Sequence, residues 1–261
     1  MVNGLYNGLE NGLQSGVYDN IGIGLHNGTI NNEIPINKEI TKDGLVLYLD
    51  ARNPSSYMPS TTKWNDLSGN GLNTTIINGV TYNNGSLLFD GINDYINLGS
   101  SKFLSLNTSF TFCCWLKKQI GGNSSYQNLF VPAAGNFKIN IAHKHGGGIL
   151  FYSYNDSYLY VSQTSPINIF DNKWHFLCFT VKYSDLTTWK VYVDEGIKQN
   201  NLFSAGTSGL APTLGTSYIG GETSESQYMF GSLGLVLLYN RILNREEIIN
   251  NYNILKLKYI I

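Results

Sequence analysis

The chain has 261 residues, a net charge of −1 and only 13% charged residues. Such a low and balanced charge provides no basic surface for nucleic acid or for acidic membranes, so no nucleic-acid partner is expected. The 28 glycines and 18 tyrosines, together with many Asn, Ser and Thr residues, favour short strands joined by tight turns and predict an all-β fold. At this length, one large domain with an N-terminal arm is the expected organisation.

The N-terminal segment 1–28 begins with a glycine at every fourth residue. Collagen needs glycine at every third residue, so this period excludes a collagen helix. A helix with close-approach glycines and an extended chain both remain open, and neither buries enough apolar surface to be stable alone. We therefore predict a docking arm that becomes ordered against another chain, with a disordered low-complexity leader as the alternative. The residues assigned to the docking arm are Gly4, Leu5, Gly8, Leu9, Gly12, Leu13 and Gly16.

The first part of the chain shows no targeting or anchoring signal. The opening residues MVNGLYNG lack the basic region and apolar core of a signal peptide, and no run reaches the roughly 18 apolar residues of a membrane span. We expect a protein that is made in a reducing cytoplasm and has no membrane span. Residues 29–42, which include Pro35, are predicted to be a polar linker to a domain over 43–261.

From residue 43 onward, short apolar or alternating runs separated by turn residues predict enough strands for two packed sheets. The segment 244–256 instead has the pattern of a helix. Asn244 is its candidate N-cap, with Glu247 three residues later as in a capping box. The apolar stripe of this helix consists of Ile248, Tyr252 and Leu255. The predicted strands are 45–50, 86–91, 94–99, 110–118, 128–133, 137–143, 148–154, 158–163, 174–183, 188–196, 217–221 and 231–240.

The three cysteines, Cys113, Cys114 and Cys178, all lie in strand-like apolar runs. Neighbouring residues of a strand point to opposite faces, so Cys113 and Cys114 cannot both face one core. An odd number of cysteines without a spacing pattern does not favour a disulfide framework or a thiolate metal site. We predict buried free thiols.

Two polar turns are expected to be rigid. In WNDLSGNG, Asp66 and Ser68 can bond neighbouring backbone amides, and the glycines that follow can adopt positive φ. Asp90 and Gly91 interrupt the run LLFDGINDYI in the manner of a bulge or a turn.

Three blocks of sequence resemble one known family. The first, 44–99, contains GLVLYLDARNPSSY, WNDLSGNG and LLFDGINDYINLG. The second is SFTFCCWLKK (109–118), and the third, 171–256, contains DNKWHFLCFTV and GSLGLVLLYNRILNREEI. Together they resemble the laminin G-like, concanavalin A-like jelly-roll family, in the branch found in bacterial surface proteins and in virion proteins of tailed phages. The resemblance implies a two-sheet antiparallel jelly-roll sandwich and does not include the docking arm.

The resemblance also implies a candidate calcium site, because laminin G-like domains often bind one Ca²⁺ at the rim of the sandwich through loop oxygens. The oxygen-rich loops are 65–70, 90–94 and 155–157. Asp94 and Asp156 are the candidate ligands. The alternative is that these loop carboxylates bond backbone amides and serve only to stiffen the turns.

Candidate catalytic residues do not have the arrangement that this fold uses in glycosidases, where two carboxylates lie on one strand face about 5.5 Å apart. Asp194 and Glu195 are adjacent in a turn, and Glu222 and Glu225 lie in the polar stretch GETSESQ. We therefore predict no catalytic residues and no enzymatic activity.

The histidines do not indicate a metal site. His143 and His145 would share one side of a strand, but no third ligand is evident nearby, so a polar strand end is the favoured interpretation. His175, between two aromatic residues, is interpreted as a partly buried, hydrogen-bonded ring.

The segment YSYNDSYLYVS (152–162) is the most site-like stretch of the sequence. Tyrosines spaced in phase around an Asn-Asp turn can stack on sugar rings and bond their hydroxyls. The alternative is a solvent-facing or intersubunit tyrosine surface. The candidate carbohydrate-binding residues are Tyr152, Tyr154, Asn155, Asp156, Tyr158 and Tyr160.

Two functions are consistent with these features. The first is a structural or adhesion component of a virus particle, such as a phage head fibre, decoration protein or tail-associated protein. The arm would dock on other virion proteins and the lectin-like sandwich would reach cell-surface glycans. If arms associate with one another, a closed cyclic homo-oligomer is expected. The alternative is a carbohydrate-binding module of a bacterial surface protein, located at the cell surface.

Overall fold

A computed structural model of the chain shows two compact units, Met1–Lys38 and Glu39–Ile261. In the first unit, antiparallel strands β1 (Ile23–His26) and β2 (Thr29–Asn32) pair with each other. The docking-arm residues lie outside the described part of the chain, so the arm and the division into arm, linker and domain stay predictions. The described residues are 23–26, 29–32, 39–72, 74–100, 109–133, 137–142, 148–153, 158–161, 169–182, 185–194, 196–197, 202–205, 215–223 and 226–259.

The second unit consists of two antiparallel sheets and one C-terminal helix, α1 (Arg245–Lys256). The strands of this unit are β3 (Leu45–Asp50), β4 (Thr75–Ile77), β5 (Thr81–Tyr82), β6 (Leu87–Asp90), β7 (Tyr95–Ser100), β8 (Ser109–Lys118), β9 (Tyr126–Ala133), β10 (Phe137–Ala142), β11 (Gly148–Ser153), β12 (Tyr158–Val161), β13 (Trp174–Lys182), β14 (Asp185–Val193), β15 (Gly196–Ile197), β16 (Leu202–Ala205), β17 (Thr216–Ile219) and β18 (Phe230–Tyr239).

Strand order defines the two sheets. Sheet I has the order β16-β12-β11-β10-β9-β17-β7-β4, and sheet II has the order β15-β14-β13-β8-β18-β6-β5 with β3 also paired to β18. Each predicted strand overlaps one of these strands, with ends that differ by at most three residues. The predicted two-sheet, all-β jelly-roll architecture is therefore confirmed. Among the described residues, no helix has the length and apolar character to cross a bilayer.

Strands β1, β2, β4, β5, β15 and β16 were not predicted from the sequence. They contain between two and four residues each. A segment this short carries too few residues to show an alternating pattern, so pairing with a neighbouring strand determines its conformation.

The main core lies between the sheets, and a second core lies on the outer face of sheet II. In β8, Phe112 and Cys114 belong to the first core, while Cys113 and Trp115 belong to the second. This alternation confirms that the adjacent cysteines face opposite sides. Cys114 is buried between the sheets, and Cys113 is also fully buried because residues of helix α1 pack over the outer face of sheet II. Cys178 is also a buried free thiol, as predicted.

Helix α1 begins as its sequence predicts. The Asn244 side chain accepts a hydrogen bond from the Glu247 amide (2.9 Å), and the Glu247 carboxylate accepts one from the Asn244 amide (2.8 Å). The predicted stripe of Ile248, Tyr252 and Leu255 is buried in the second core. Burial of this face, more than helix propensity, holds a helix of this length in place.

Both predicted rigid turns are present. Asp66 accepts hydrogen bonds from the amides of Tyr48 (2.9 Å) and Ser68 (2.8 Å), which ties the turn to β3. Strand β6 ends at Asp90, whose carboxylate accepts the Ile92 amide at 2.8 Å. Gly91 follows with φ 74°, a conformation that side chains disfavour.

Candidate functional site

The outer face of sheet I carries a buried group of polar side chains. In β10, Ile139 and Ile141 point into the main core, so Lys138 and Asn140 lie on the opposite face. Asn128 of β9 is the direct partner of Asn140 and shares that face. We call the following residues the polar cluster: Asn128, Lys138, Asn140, Glu222 and Gln227.

Lys138 and Glu222 form the charged centre of the polar cluster. Their side chains are in direct contact, and each is only 2% exposed. The Asn140 Nδ2 donates a hydrogen bond to Gln227 Oε1 at 3.2 Å. Glu222 and Gln227 come from the connection between β17 and β18, so residues distant in sequence meet on the two central strands β9 and β10. Burying two charges is costly unless they pair, as they do here.

Within the described part of the chain, three polar atoms of the cluster have no hydrogen-bond partner: Nδ2 and Oδ1 of Asn128 and Oδ1 of Asn140. Asn128 is fully buried and Asn140 is 2% exposed. An unmade buried hydrogen bond costs about 1–3 kcal/mol. The cluster therefore holds one donor and two acceptors that a buried water molecule can satisfy.

Tyrosines continue this face towards β7. Tyr95 and Tyr218 meet edge to face with ring centroids 5.8 Å apart, and Tyr228 stacks on Tyr95 at 6.4 Å. Tyr228, Gln227 and Asn97 are half-buried, whereas Tyr95 and Tyr218 are buried. The face thus has a buried polar floor with a half-exposed rim of amide and phenol groups.

The predicted carbohydrate-binding tyrosines lie in strands next to the polar cluster. Tyr152 is the direct cross-strand partner of Lys138, and Tyr158 is the partner of Tyr152. Tyr160 is the partner of Leu150, which is itself opposite Asn140. Directly opposite residues occupy the same face of a sheet. These three tyrosine positions and the polar cluster therefore share one face of sheet I. The other three candidates, Tyr154, Asn155 and Asp156, lie outside the described residues.

Asp94 occupies a structural position in the turn after β6. Its Oδ2 accepts the Asp90 amide at 3.0 Å, while its Oδ1 has no hydrogen-bond partner among the residues that the structure describes. Burial raises the pKa of Asp94 to about 6. The described residues contain no group of three or more His, Cys, Asp or Glu side chains that could hold a metal. Ca²⁺ is also bound by backbone and amide oxygens, so the assignment of Asp94 as a calcium ligand stays a prediction, and Asp156 lies outside the described residues.

His175 confirms its interpretation as a hydrogen-bonded ring. Nδ1 lies 2.9 Å from Asp194 Oδ2, and Nε2 lies 3.0 Å from Asp171 Oδ1. The hydrogen bond to Asp194 is the main reason that the pKa of His175 is raised. The side chain is 15% exposed, and both of its nitrogens are engaged, so it is not free to act as a base.

The polar cluster was not found from the sequence. Glu222 was assigned to a polar stretch, whereas the structure buries it against a lysine 84 residues away in the chain. One signal was present: FKINIA (137–142) alternates apolar residues with Lys and Asn. When a strand in the middle of a sheet has one apolar and one polar face, the pattern indicates an organised polar surface on the outer face of that sheet.

The family model for the concanavalin A-like lectin/glucanases superfamily, of the laminin G type, matches residues 90–249. No curated protein sequence matches the chain at a significant level.

Solved structures share the fold at low sequence identity. The binding domain of Paraclostridial Mosquitocidal Protein 1 has a TM-score of 0.59 and 19% identity, over 81% of this chain and 52% of that one. Domain 4 of an extracellular arabinanase from Geobacillus stearothermophilus, in complex with arabinotriose, has a TM-score of 0.58 and 16% identity over 80% and 98%.

Trypanosoma rangeli sialidase, solved as a covalent intermediate with 2,3-difluorosialic acid, has a TM-score of 0.54 and 19% identity. The match covers 80% of this chain and 33% of the sialidase. This chain therefore spans about a third of the length of the sialidase chains.

Proposed function

Because this chain belongs to the concanavalin A-like lectin/glucanases superfamily, we propose that its sandwich binds carbohydrate on the outer face of sheet I. The observation that carries the proposal is the shared face of the polar cluster and the tyrosine positions 152, 158 and 160. Sugars need this combination, because hydroxyls bond to amides and carboxylates while C–H faces stack on aromatic rings.

The polar floor suits a neutral or weakly polar sugar better than a densely charged one. Lys138 and Glu222 carry opposite charges, so among the described residues the polar cluster has no net charge to attract an anion. The half-buried amides of Gln227 and Asn97 lie at the rim, where sugar hydroxyls can reach them. The arabinanase domain that shares this fold was solved in complex with arabinotriose. Neutral arabino-oligosaccharides are therefore the first probes to test.

Binding without catalysis is part of this proposal. The sequence lacks a paired-carboxylate pattern, and Glu222 on the candidate face is already bound to Lys138. An assay for new reducing ends after incubation with each bound oligosaccharide tests this point. Release of reducing ends by the purified chain, lost in Glu222→Gln, would show an enzyme instead.

The binding test begins with a glycan array that includes arabinotriose and sialylated glycans, followed by titration calorimetry with any ligand found. Tyr158→Ala and Tyr160→Ala are each expected to weaken binding at least about fivefold, since stacking on one aromatic ring contributes about 1–3 kcal/mol. The matched control is Tyr82→Ala, a half-buried tyrosine of β5 in sheet II. Equal affinity in all variants, or an array without any ligand, would contradict the proposal.

We further propose that the sandwich is displayed on a virus particle and that residues 1–28 dock it to other virion proteins, as a homo-oligomer made in the host cytoplasm. The support is the glycine period of the first residues. Deletion of 1–28 should leave the sandwich folded but prevent incorporation into particles, as measured by mass spectrometry of purified particles. Normal incorporation would favour the alternative, a carbohydrate-binding module of a bacterial surface protein.

A further inference from the structure

Cys113 and Cys178 face each other across β8 and β13, two central strands of sheet II. They are direct cross-strand partners, and their Sγ atoms lie 2.7 Å apart. Opposite residues of an antiparallel pair have Cα atoms about 4.5–5.5 Å apart, inside the range of about 4.4–6.8 Å that a disulfide spans. A bond between these sulfurs therefore requires side-chain rotation but no separation of the strands.

Cys114 cannot take part in such a bond. It is the cross-strand partner of Leu177 and lies in the main core, on the other face of sheet II. Because neighbouring residues of a strand point to opposite faces, Cys114 is separated from the other two cysteines. The molecule therefore contains an internal control for any test of the Cys113 and Cys178 pair.

The pair is sealed from solvent in the folded chain. Tyr192 and Leu237 flank it in the same cross-strand row, and residues of α1 pack in the same buried cluster. Burial raises the pKa of the Cys113 thiol, so the reactive thiolate is scarce once the sheet and helix have formed. Exchange with an external oxidant is consequently fastest before α1 packs over the strands.

We propose that Cys113 and Cys178 form a cross-strand disulfide when the chain folds in the presence of a low-molecular-weight disulfide. Oxidised glutathione is the oxidant. The Cys113 thiolate attacks one of its sulfurs, forms a mixed disulfide and releases one glutathione thiolate. The Cys178 thiolate then attacks the Cys113 sulfur and releases the second glutathione. The two protein thiols lose their protons and are oxidised, and one glutathione disulfide is reduced to two thiols.

The experiment folds the full chain from denaturant either with reduced and oxidised glutathione or with dithiothreitol alone. Each sample is acid-quenched, alkylated under denaturing conditions without reductant, and analysed by intact mass. The glutathione sample should carry one alkyl group and lack two hydrogen atoms, while the dithiothreitol sample should carry three alkyl groups. Three alkyl groups in correctly folded protein from the glutathione sample would overturn the proposal.

Variants identify the partners, because Cys113 and Cys114 are adjacent and a peptide map does not separate them. Cys114→Ala should keep the cross-link and carry no alkyl group, whereas Cys113→Ala should carry two. A cross-link that survives Cys113→Ala would overturn the assignment. The wild-type mass result does not depend on whether either variant folds.

Thermal unfolding gives a second readout. The cross-link would join residues 65 apart in sequence, and closing a loop of that size should raise the Tm by an amount on the order of 10 °C. This difference between oxidised and reduced samples should persist in Cys114→Ala and disappear in Cys178→Ala. An equal Tm for chemically verified oxidised and reduced wild-type protein would contradict a stabilising bond.

Discussion

The ring of Tyr259 lies against the backbone of Gly234, so close that a Cβ atom at Gly234 would stand 2.7 Å from the tyrosine hydroxyl oxygen. Gly234 sits at the register shift between β18 and β8. Tyr259 in turn stacks on Trp115, with centroids 4.9 Å apart, and lies under the guanidinium of Arg52. The absence of a side chain at Gly234 therefore allows the C-terminal segment to close over sheet II.

Gly234→Ala is expected to destabilise the fold by about 1–3 kcal/mol, because it overpacks a filled site and displaces Tyr259. Urea unfolding of wild type, the two single variants and the double variant with Tyr259→Ala shows whether the tyrosine ring causes that cost. In the Tyr259→Ala background the added methyl group has room, so its cost should fall to a few tenths of a kcal/mol. Equal costs in both backgrounds would show that backbone conformation, and not the tyrosine ring, requires glycine.

Glu222→Gln should destabilise the protein by about 3–5 kcal/mol, because it removes the buried carboxylate that lies against the Lys138 ammonium. Replacing both residues together, Lys138→Met with Glu222→Leu, should recover most of that loss, since both members of this buried charge pair are removed. Urea unfolding measures both effects. The matched control is Glu39→Gln, which removes an ion pair with Lys42 whose side chains are 75% and 63% exposed. That change should cost less than about 0.5 kcal/mol.

If Glu222→Gln has the same unfolding free energy as Glu39→Gln, the polar cluster is open to water and the Lys138–Glu222 pair is not destabilised by burial. A double variant that is much less stable than Glu222→Gln would show instead that shape, not charge, holds the cluster together. These outcomes concern stability alone, so they remain separate from the sugar-binding test.

The strands were predictable because their signal is local. LVLYLD and WHFLCFTVK are apolar runs bounded by turn residues, and the structure gives strands at Leu45–Asp50 and Trp174–Lys182. The start of α1 was predictable for the same reason, since a capping box needs only Asn244 and Glu247.

The polar cluster was not predictable because it depends on strand order. Strand β9 lies between β10 and β17 in sheet I, and only this order brings Asn128 close to Asn140 and the β17–β18 connection. Pairing between strands that are distant in sequence is determined by packing of the whole sheet. A short stretch of one sequence therefore does not show which strands pair.

His175 should make stability depend on pH. Its folded pKa is raised above the ordinary 6.5, mainly by the hydrogen bond to Asp194, with Asp171 on the other ring nitrogen. The stability that it contributes is therefore fully present below pH 6.5 and is lost as the pH rises through the folded pKa. The pKa of Asp171 is lowered, chiefly by its hydrogen bond to His175 and to a smaller extent by Lys173.

The measurement is the difference in unfolding free energy between wild type and His175→Gln across pH 5.5 to 8.5. Wild type should be favoured by about 1 kcal/mol at the acidic end, and the advantage should shrink at the basic end. A difference in unfolding free energy that stays constant with pH would mean that the His175 ring stabilises the fold by packing and not through its charge.

Asp94 should also make stability depend on pH, in a lower pH range than His175. Burial raises its pKa from 3.8 to about 6, so ionising it in the folded state costs more than in the unfolded state. A raised folded pKa gives a contribution that is complete below pH 3.8 and is lost as the pH rises to about 6. Relative to Asp94→Asn, wild type should therefore lose stability between pH 4 and pH 6 and remain parallel to the variant above that range.

The same pair of proteins tests calcium at this turn. Ca²⁺ bound to Asp94 would favour the ionised carboxylate, lower its pKa and remove the loss of stability between pH 4 and pH 6. Because the Asp94 carboxylate accepts the Asp90 amide within its turn, added Ca²⁺ should leave the pH profile of wild type unchanged. A profile that Ca²⁺ flattens in wild type but not in Asp94→Asn would instead show that Asp94 is a calcium ligand, with Asp156 as the first candidate partner to replace.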